Sequence, residues 1–272
     1  MTPHRSHSLP WPGAILALLC LLPAARGAAG DELIVDEHFK NQTRTGQNPP
    51  HSLAWYASHA GYASNRGRNL RVLTRVEGPR QVAAHFPRVT LETGDLLTFD
   101  FEFEPGAPPG DDNAGFRFGL FDSAGEKRNR FTTDARDPSV TSRGYAVLMN
   151  LRNSRDMASL ALCKREGRAS LIGEARHYRD NLSPRVLIPG RIFPNRRYHV
   201  EMTIARTGAR MAEIAFELSG GGMEKAFSYK ITTDAASVFS FDTIGFGTSS
   251  AGASDVYFYD IVVTREKQSA GR

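Results

Sequence analysis

The side chains of this chain that could do chemistry are arginines, tyrosines and histidines set on short alternating segments. Arg117 lies in Phe116-Arg117-Phe118-Gly119-Leu120-Phe121. Tyr145 follows Gly144 in a long apolar run, with Asn150 and Arg152 at its end. His177-Tyr178 sits inside an arginine-rich stretch, and His199 shares the polar face of Tyr198–Ile204 with Glu201. β-Elimination from a uronate needs such a set. A cation or amide neutralises the sugar carboxylate so that its α-proton becomes acidic. A His or Tyr then takes that proton, and a Tyr can return one to the leaving oxygen. Arg117, Tyr145, His177 and His199 are the catalytic candidates on that reading. Each also has a plainer role. Arg117 can be a solvent-facing or ion-paired arginine, Tyr145 a tyrosine at the core edge, and both histidines surface residues.

Recognition without catalysis asks less of the chain. Lys164 to Arg197 holds nine basic residues against Glu166, Glu174 and Asp180. Guanidinium groups match carboxylate and sulfate geometry through paired hydrogen bonds. Arg152, Arg176, Tyr178, Arg179, Arg196 and Arg197 are therefore the ligand-binding candidates, with an acidic polysaccharide as the expected partner. A solvated loop with incidental charge accounts for the same residues. Trp55-Tyr56 and Tyr62 could stack on sugar rings or fill the core. No nucleic-acid-binding motif is present. Cys163 has no ligand partner at useful spacing and no histidine cluster exists, which argues against zinc.

These residues need elements to hold them, and the pattern is that of sheet. Helical periodicity is almost absent, whereas period-two alternation recurs. Phe99, Phe101 and Phe103 share one face of a segment whose other face carries Asp100, Glu102 and Glu104. Gly144–Leu151 is apolar nearly throughout, as in a central strand covered on both sides. Tyr198–Ile204 and Glu213–Leu218 flank Arg206-Thr207-Gly208-Ala209-Arg210 and read as a hairpin. Ser159–Lys164 and Ala169–Gly173, around Arg165-Glu166-Gly167-Arg168, read as another. Phe227–Thr232, Asp242–Gly247 and Val256–Thr264 complete a set of roughly ten to thirteen strands, which implies an all-β chain of two packed sheets; the antiparallel two-sheet jelly roll is the form expected of it from the resemblance given below. Pro105–Asn113 and Glu126–Ser142 are expected as long loops.

Residues 1–30 read as a cleaved signal peptide. His4, Arg5 and His7 precede an uncharged apolar run, Ala14–Leu22, and small residues follow Pro23. That run is well short of the roughly 20 residues needed to span a bilayer. Removing Arg5 and Arg26 leaves 32 basic against 29 acidic residues, a balance of about +3. Cys20 leaves with the signal, so Cys163 remains alone and no internal disulfide is expected. A single domain over residues 31–266 with a short tail at 267–272 is expected, secreted or periplasmic, with no membrane anchor.

Several segments also carry a family resemblance. They are Leu33–Phe39, Arg44–Pro50 with Leu53-Ala54-Trp55-Tyr56, Gly115–Phe121, Arg143-Gly144-Tyr145, Phe241–Gly247 and Tyr259–Val263. In their order the chain resembles concanavalin A-like lectin/glucanase jelly rolls, including laminin-G-like domains. More narrowly it resembles secreted proteins of Verrucomicrobia-type polysaccharide degraders. The resemblance implies a lectin, binding module, hydrolase or lyase, and it implies a structural calcium near the first and last strands, where Asp36 and Asp260 lie. The paired carboxylates of laminarinase-like hydrolases, Glu-x-Asp-x-x-Glu, have no counterpart, and Glu102 with Glu104 look like a solvated strand face. The Gln-Ile-His and Arg-x-Glu-Leu strands of alginate lyases are absent too, as is the C-terminal sorting helix of many such relatives. A carbohydrate-binding protein for extracellular, anionic polysaccharide is the leading expectation. A polysaccharide lyase and a structural envelope protein are the alternatives.

Overall fold

Alternating side chains need two environments, and this chain supplies them by stacking one sheet on another. The computed structural model describes residues 31–41, 43–59, 63–65, 67–72, 80–106, 115–125, 133–134, 142–151, 158–166, 171–172, 180–234, 238–248 and 255–268. Among these run sixteen strands and no helix. They are β1 (Glu32–Glu37), β2 (Trp55–Ala57), β3 (Ala63–Asn65), β4 (Leu70–Val72), β5 (Arg80–Thr90), β6 (Leu96–Pro105), β7 (Gly115–Asp122) and β8 (Arg143–Asn150). Then follow β9 (Ala158–Glu166), β10 (Asp180–Asn181), β11 (Val186–Ile188), β12 (Tyr198–Arg206), β13 (Ala212–Gly220), β14 (Phe227–Thr233), β15 (Ser240–Thr248) and β16 (Val256–Glu266).

The first sheet has the order β14-β13-β12-β6-β16-β4-β3, with β1 also on β16. The second has the order β10-β9-β8-β7-β15-β5-β2, with β11 also on β9. Every pairing is antiparallel. These are the two packed sheets that the alternation predicts, in the jelly-roll arrangement that the resemblance implies. It holds more strands than expected because β2, β3, β4, β10 and β11 are two or three residues long, too short to show a period.

Aromatic rings from both sheets meet between them. Phe99, Phe101 and Phe103 of β6 are fully buried. Phe101 meets Phe118 of β7 and Phe246 of β15 edge-on, with centroids 5.0 and 5.1 Å away. Phe258 of β16 lies 4.0 Å from Phe246. Edge-to-face pairs contribute about 0.5–1.5 kcal/mol beyond the area they bury. The β12–β13 hairpin forms as expected, from Tyr198 opposite Gly220 to Arg206 opposite Ala212.

A smaller apolar layer lies on the outer face of the second sheet. It gathers Ala83, Phe121, Ala146, Leu148, Ala161, Cys163, Leu171 and Ile172. Here the expected hairpin of Ser159–Lys164 with Ala169–Gly173 is corrected. Strand β9 pairs instead with β8, β10 and β11. Leu171 and Ile172 turn onto the sheet, where the Ile172 N–H donates to Gln81 Oε1 at 2.9 Å. Burial against Phe121 and Ala146 outweighs a ladder partner for two such apolar side chains. Gly245 makes room, since a Cβ there would overlap Ile172. This cover also explains why β8 is apolar on both faces.

The free edge at β2 is capped by Asp134, part of the expected 126–142 loop. Asp134 Oδ1 accepts the Ala57 N–H at 2.9 Å and Arg44 Nη1 at 2.9 Å. Blocking an edge with a charged group prevents pairing with a second chain. Nearby, the buried Glu37 carboxylate takes the N–H of Phe39 (2.7 Å), the N–H of Leu53 (2.8 Å) and Trp55 Nε1 (3.4 Å). Glu37→Ala leaves these buried donors without an acceptor. Urea unfolding should show a loss of about 2–4 kcal/mol, and a change within about 0.5 kcal/mol would contradict this account.

Candidate functional site

Two connections meet at one rim of the sandwich and enclose a groove. One runs from β11 through Pro189-Gly190-Arg191-Ile192-Phe193 toward β12. The other is the turn from β13 to β14, Gly220-Gly221-Gly222-Met223. Between them lies a cavity of about 660 Å³, whose walls include Arg191, Phe193, Gly221, Gly222, Lys225 and Ser228. Ile192 is buried and anchors its connection, which turns Phe193 outward at 46% exposure. A single exposed ring is ordinary on a protein surface; this one gains interest because it borders the cavity.

The turn is tight because Gly220, Gly221 and Gly222 all have positive φ, of 82°, 59° and 85°. Gly221 donates its N–H to Arg197 O at 2.8 Å, and Met223 donates to Gly220 O at 2.9 Å. A Cβ at Gly221 would overlap the Tyr198 ring, so the absence of a side chain lets the turn lie on that ring. Tyr198 is itself buried and stacks on Phe103, centroids 5.4 Å apart. Its hydroxyl accepts the Phe193 N–H at 2.7 Å. Burial raises the Tyr198 pKa above the ordinary tyrosine value, against the lowering pull of the Phe193 N–H and Arg196. The phenol therefore stays neutral.

Three cations border this groove. Arg191 and Lys225 line it, and Arg196 Nη1 lies 3.1 Å from where a Cβ on Gly222 would stand. Glu224 is the acid among the lining residues. Such a site offers an aromatic platform flanked by donors that carry positive charge.

Arg197, one residue on, points elsewhere. Its guanidinium lies 3.9 Å over the Tyr259 ring and 3.2 Å from Glu102 on the outer face of the first sheet. Burial opposes its charge, but Glu102 and Tyr259 outweigh this and raise its pKa. His199 occupies the same face, with Nε2 2.7 Å from Asp100 Oδ2. Of the sequence-derived binding set, the structure places Arg196 at the groove and Arg197 away from it. Arg152, Arg176, Tyr178 and Arg179 lie outside the described residues, as does His177.

The catalytic candidates do not converge. Arg117 is on the outer face of the second sheet and nearly buried, at 8%. Tyr145 points into the core between the sheets, where its hydroxyl accepts the Val238 N–H at 2.9 Å. His199 is on the far side of the first sheet. A base and a carboxylate-neutralising group must reach one bound sugar, and these three residues stand on three separate surfaces. Strand parity causes the split. Leu120 is paired with Tyr145 and both point inward, which turns Arg117 outward.

Asp36 and Asp260 do come together, but around histidine. His38 Nε2 is 2.9 Å from Asp36 Oδ1 and His38 Nδ1 is 2.6 Å from Asp260 Oδ1, while His51 Nδ1 is 3.1 Å from Asp36 Oδ2. Calcium takes about six to eight oxygen ligands. Two carboxylates already engaged by imidazole rings do not supply such a set. Among the described residues no group of three His, Cys, Asp or Glu side chains could hold a metal.

Sequence reasoning overlooked Phe193, Tyr198, Arg191 and Lys225. The available signal was Ile192-Phe193-Pro194, an aromatic residue between a glycine turn and a proline, together with the triple glycine at 220–222.

No family model matches the chain, and no curated protein matches it. Solved structures do. The chain is similar to the carbohydrate recognition domain of Emp47p, at 11% identity and a TM-score of 0.50 over 87% of this chain and 95% of that one. It is also similar to lectin UEA-II complexed with galactose, at 12% identity and 0.51 over 88% and 99%. An alginate lyase, Aly36B, in complex with an alginate tetrasaccharide follows at 13% and 0.48 over 84% and 95%. At this level of identity the first two likenesses show the fold alone, a two-sheet β jelly roll.

Cys163 sits in the outer apolar layer of the second sheet. Burial pushes its pKa up to about 12 from an ordinary 9.0, against the lowering effect of Arg117 and Arg185. Above about pH 9 the unfolded thiol loses a proton that the folded thiol keeps, so stability falls as pH rises toward about 12. Cys163→Ala should flatten that alkaline decline in urea titrations between pH 9 and 11. Parallel curves for the two proteins would count against it.

Proposed function

We propose that this protein is exported and binds carbohydrate in the rim groove, and that its ligand is an anionic polysaccharide. One observation carries the reading: an exposed Phe193 ring borders a 660 Å³ cavity beside Arg191, Arg196 and Lys225. The face of a sugar ring is apolar enough to stack on phenylalanine. Carboxylate or sulfate groups along the chain would then meet guanidinium and ammonium donors. Two proteins of the same fold are a carbohydrate recognition domain and a lectin complexed with galactose, which supports the ligand class. The charged start and apolar run of residues 1–30 support export.

The first sheet is a poor alternative surface for such a polymer. Its outer face carries Asp100, Glu102, Glu104, Glu201, Glu213 and Glu217 against Arg197, His199 and Lys230, which leaves an excess of acid. Like charge would repel an acidic chain there and favour the basic rim.

Native gels containing alginate, pectate, a glycosaminoglycan or a neutral glucan test this directly. The acidic gels should retard the protein, less so at higher salt. Phe193→Ala should weaken retention about five- to tenfold, and Arg196→Glu combined with Lys225→Glu should abolish it. Equal retardation by the neutral polymer would exclude an anionic ligand, and free migration in every gel would exclude carbohydrate binding of this kind.

A further inference from the structure

We infer that Tyr198 is the positioning residue of the groove, because one buried phenol seats both walls. The inference rests on the reading of the groove as a carbohydrate site. On one side the Tyr198 hydroxyl accepts the Phe193 N–H at 2.7 Å. On the other, Gly221 lies against the same ring so closely that no side chain fits between them. Beneath, the ring stacks on Phe103, which belongs to the aromatic layer between the sheets. The backbone on either side of the phenol is tied down as well. Gly221 N–H reaches Arg197 O, and Asn195 N–H reaches Pro105 O at 2.7 Å.

This arrangement fixes the distance between the Phe193 platform and the glycine turn before any ligand arrives. Ile192 anchors the connection on one side, but Phe193 itself is exposed, and without the phenol its backbone would have to be ordered on binding, at a cost in affinity. Tyr198 does not line the cavity. It acts through Phe193 and Gly221 instead of touching the ligand.

Tyr198→Phe removes the acceptor and keeps the ring. Hydrogen exchange at the Phe193 amide should accelerate, and affinity for the retarding polymer should fall about fivefold. The effect should vanish in a Phe193→Ala background, since there is then no platform to position. A purely structural role would lower the melting temperature equally in both backgrounds and leave that coupling at zero. If Tyr198→Phe does not fold, Gly221→Ala displaces the same ring from the opposite side and should also weaken binding only while Phe193 is present. Unchanged affinity in a wild-type-like fold overturns the inference. Failure of the unmodified protein to bind any polymer overturns the functional reading instead, and the exchange rate at Phe193 still reports whether the hydroxyl holds that backbone.

Discussion

Phe101 touches rings from three other strands, and most of this structure depends on the layer it centres. Phe99, Phe101 and Phe103 project from one strand of the first sheet into Phe116, Phe118 and Phe246 of the second. Aligned sheets pack about 10 Å apart, so rings of this size fill the space between them. With no disulfide among the described residues, burial of these side chains has to supply the cohesion that disulfides supply in small disulfide-rich domains. The layer also extends to the rim. Phe103 stacks on Tyr198, and Tyr198 carries both Phe193 and Gly221. The proposed binding groove is thus continuous with the core.

The three accessible surfaces of the sandwich differ in kind. The outer side of the first sheet is acidic, with Asp100 and Glu102 partly balanced by His199 and Arg197. Exposed pairs of this sort contribute little to stability, about 0–1 kcal/mol, and their main effect here is to hold Arg197 over Tyr259 and away from the groove. The outer side of the second sheet is covered in part by the chain itself, through Leu171 and Ile172. The rim is left with cations and an exposed aromatic ring. This contrast between an acidic face and a basic rim is what the proposed anionic ligand rests on.

Local pattern reached a definite depth. Parity along Phe99–Glu104 predicts which residues of β6 face the core, and the β12–β13 hairpin follows from two alternating runs with a glycine-containing turn between them. The apolar run at Tyr145 predicts a strand covered on both sides. The Ser159–Gly173 hairpin failed because the competing contact for Leu171 and Ile172, on Phe121 and Ala146, is distant in sequence. Arg196 emerged from the basic stretch, yet nothing local distinguishes it from Arg197, whose side chain turns to the opposite surface one residue later.

By itself, then, the sequence determined the all-β class, the core-facing positions of clearly alternating segments such as Phe99–Glu104 and the concentration of positive charge between Lys164 and Arg197. These depend on period-two alternation and composition, which a strand expresses wherever it is placed. Only the tertiary structure decided which surfaces join. It set Arg117, Tyr145 and His199 apart, surrounded Asp36 and Asp260 with imidazole, and brought Phe193 beside Lys225. Parity sorts side chains to one face or the other, but the partner of each face is chosen by long-range strand order and by the close approach of loops at the rim.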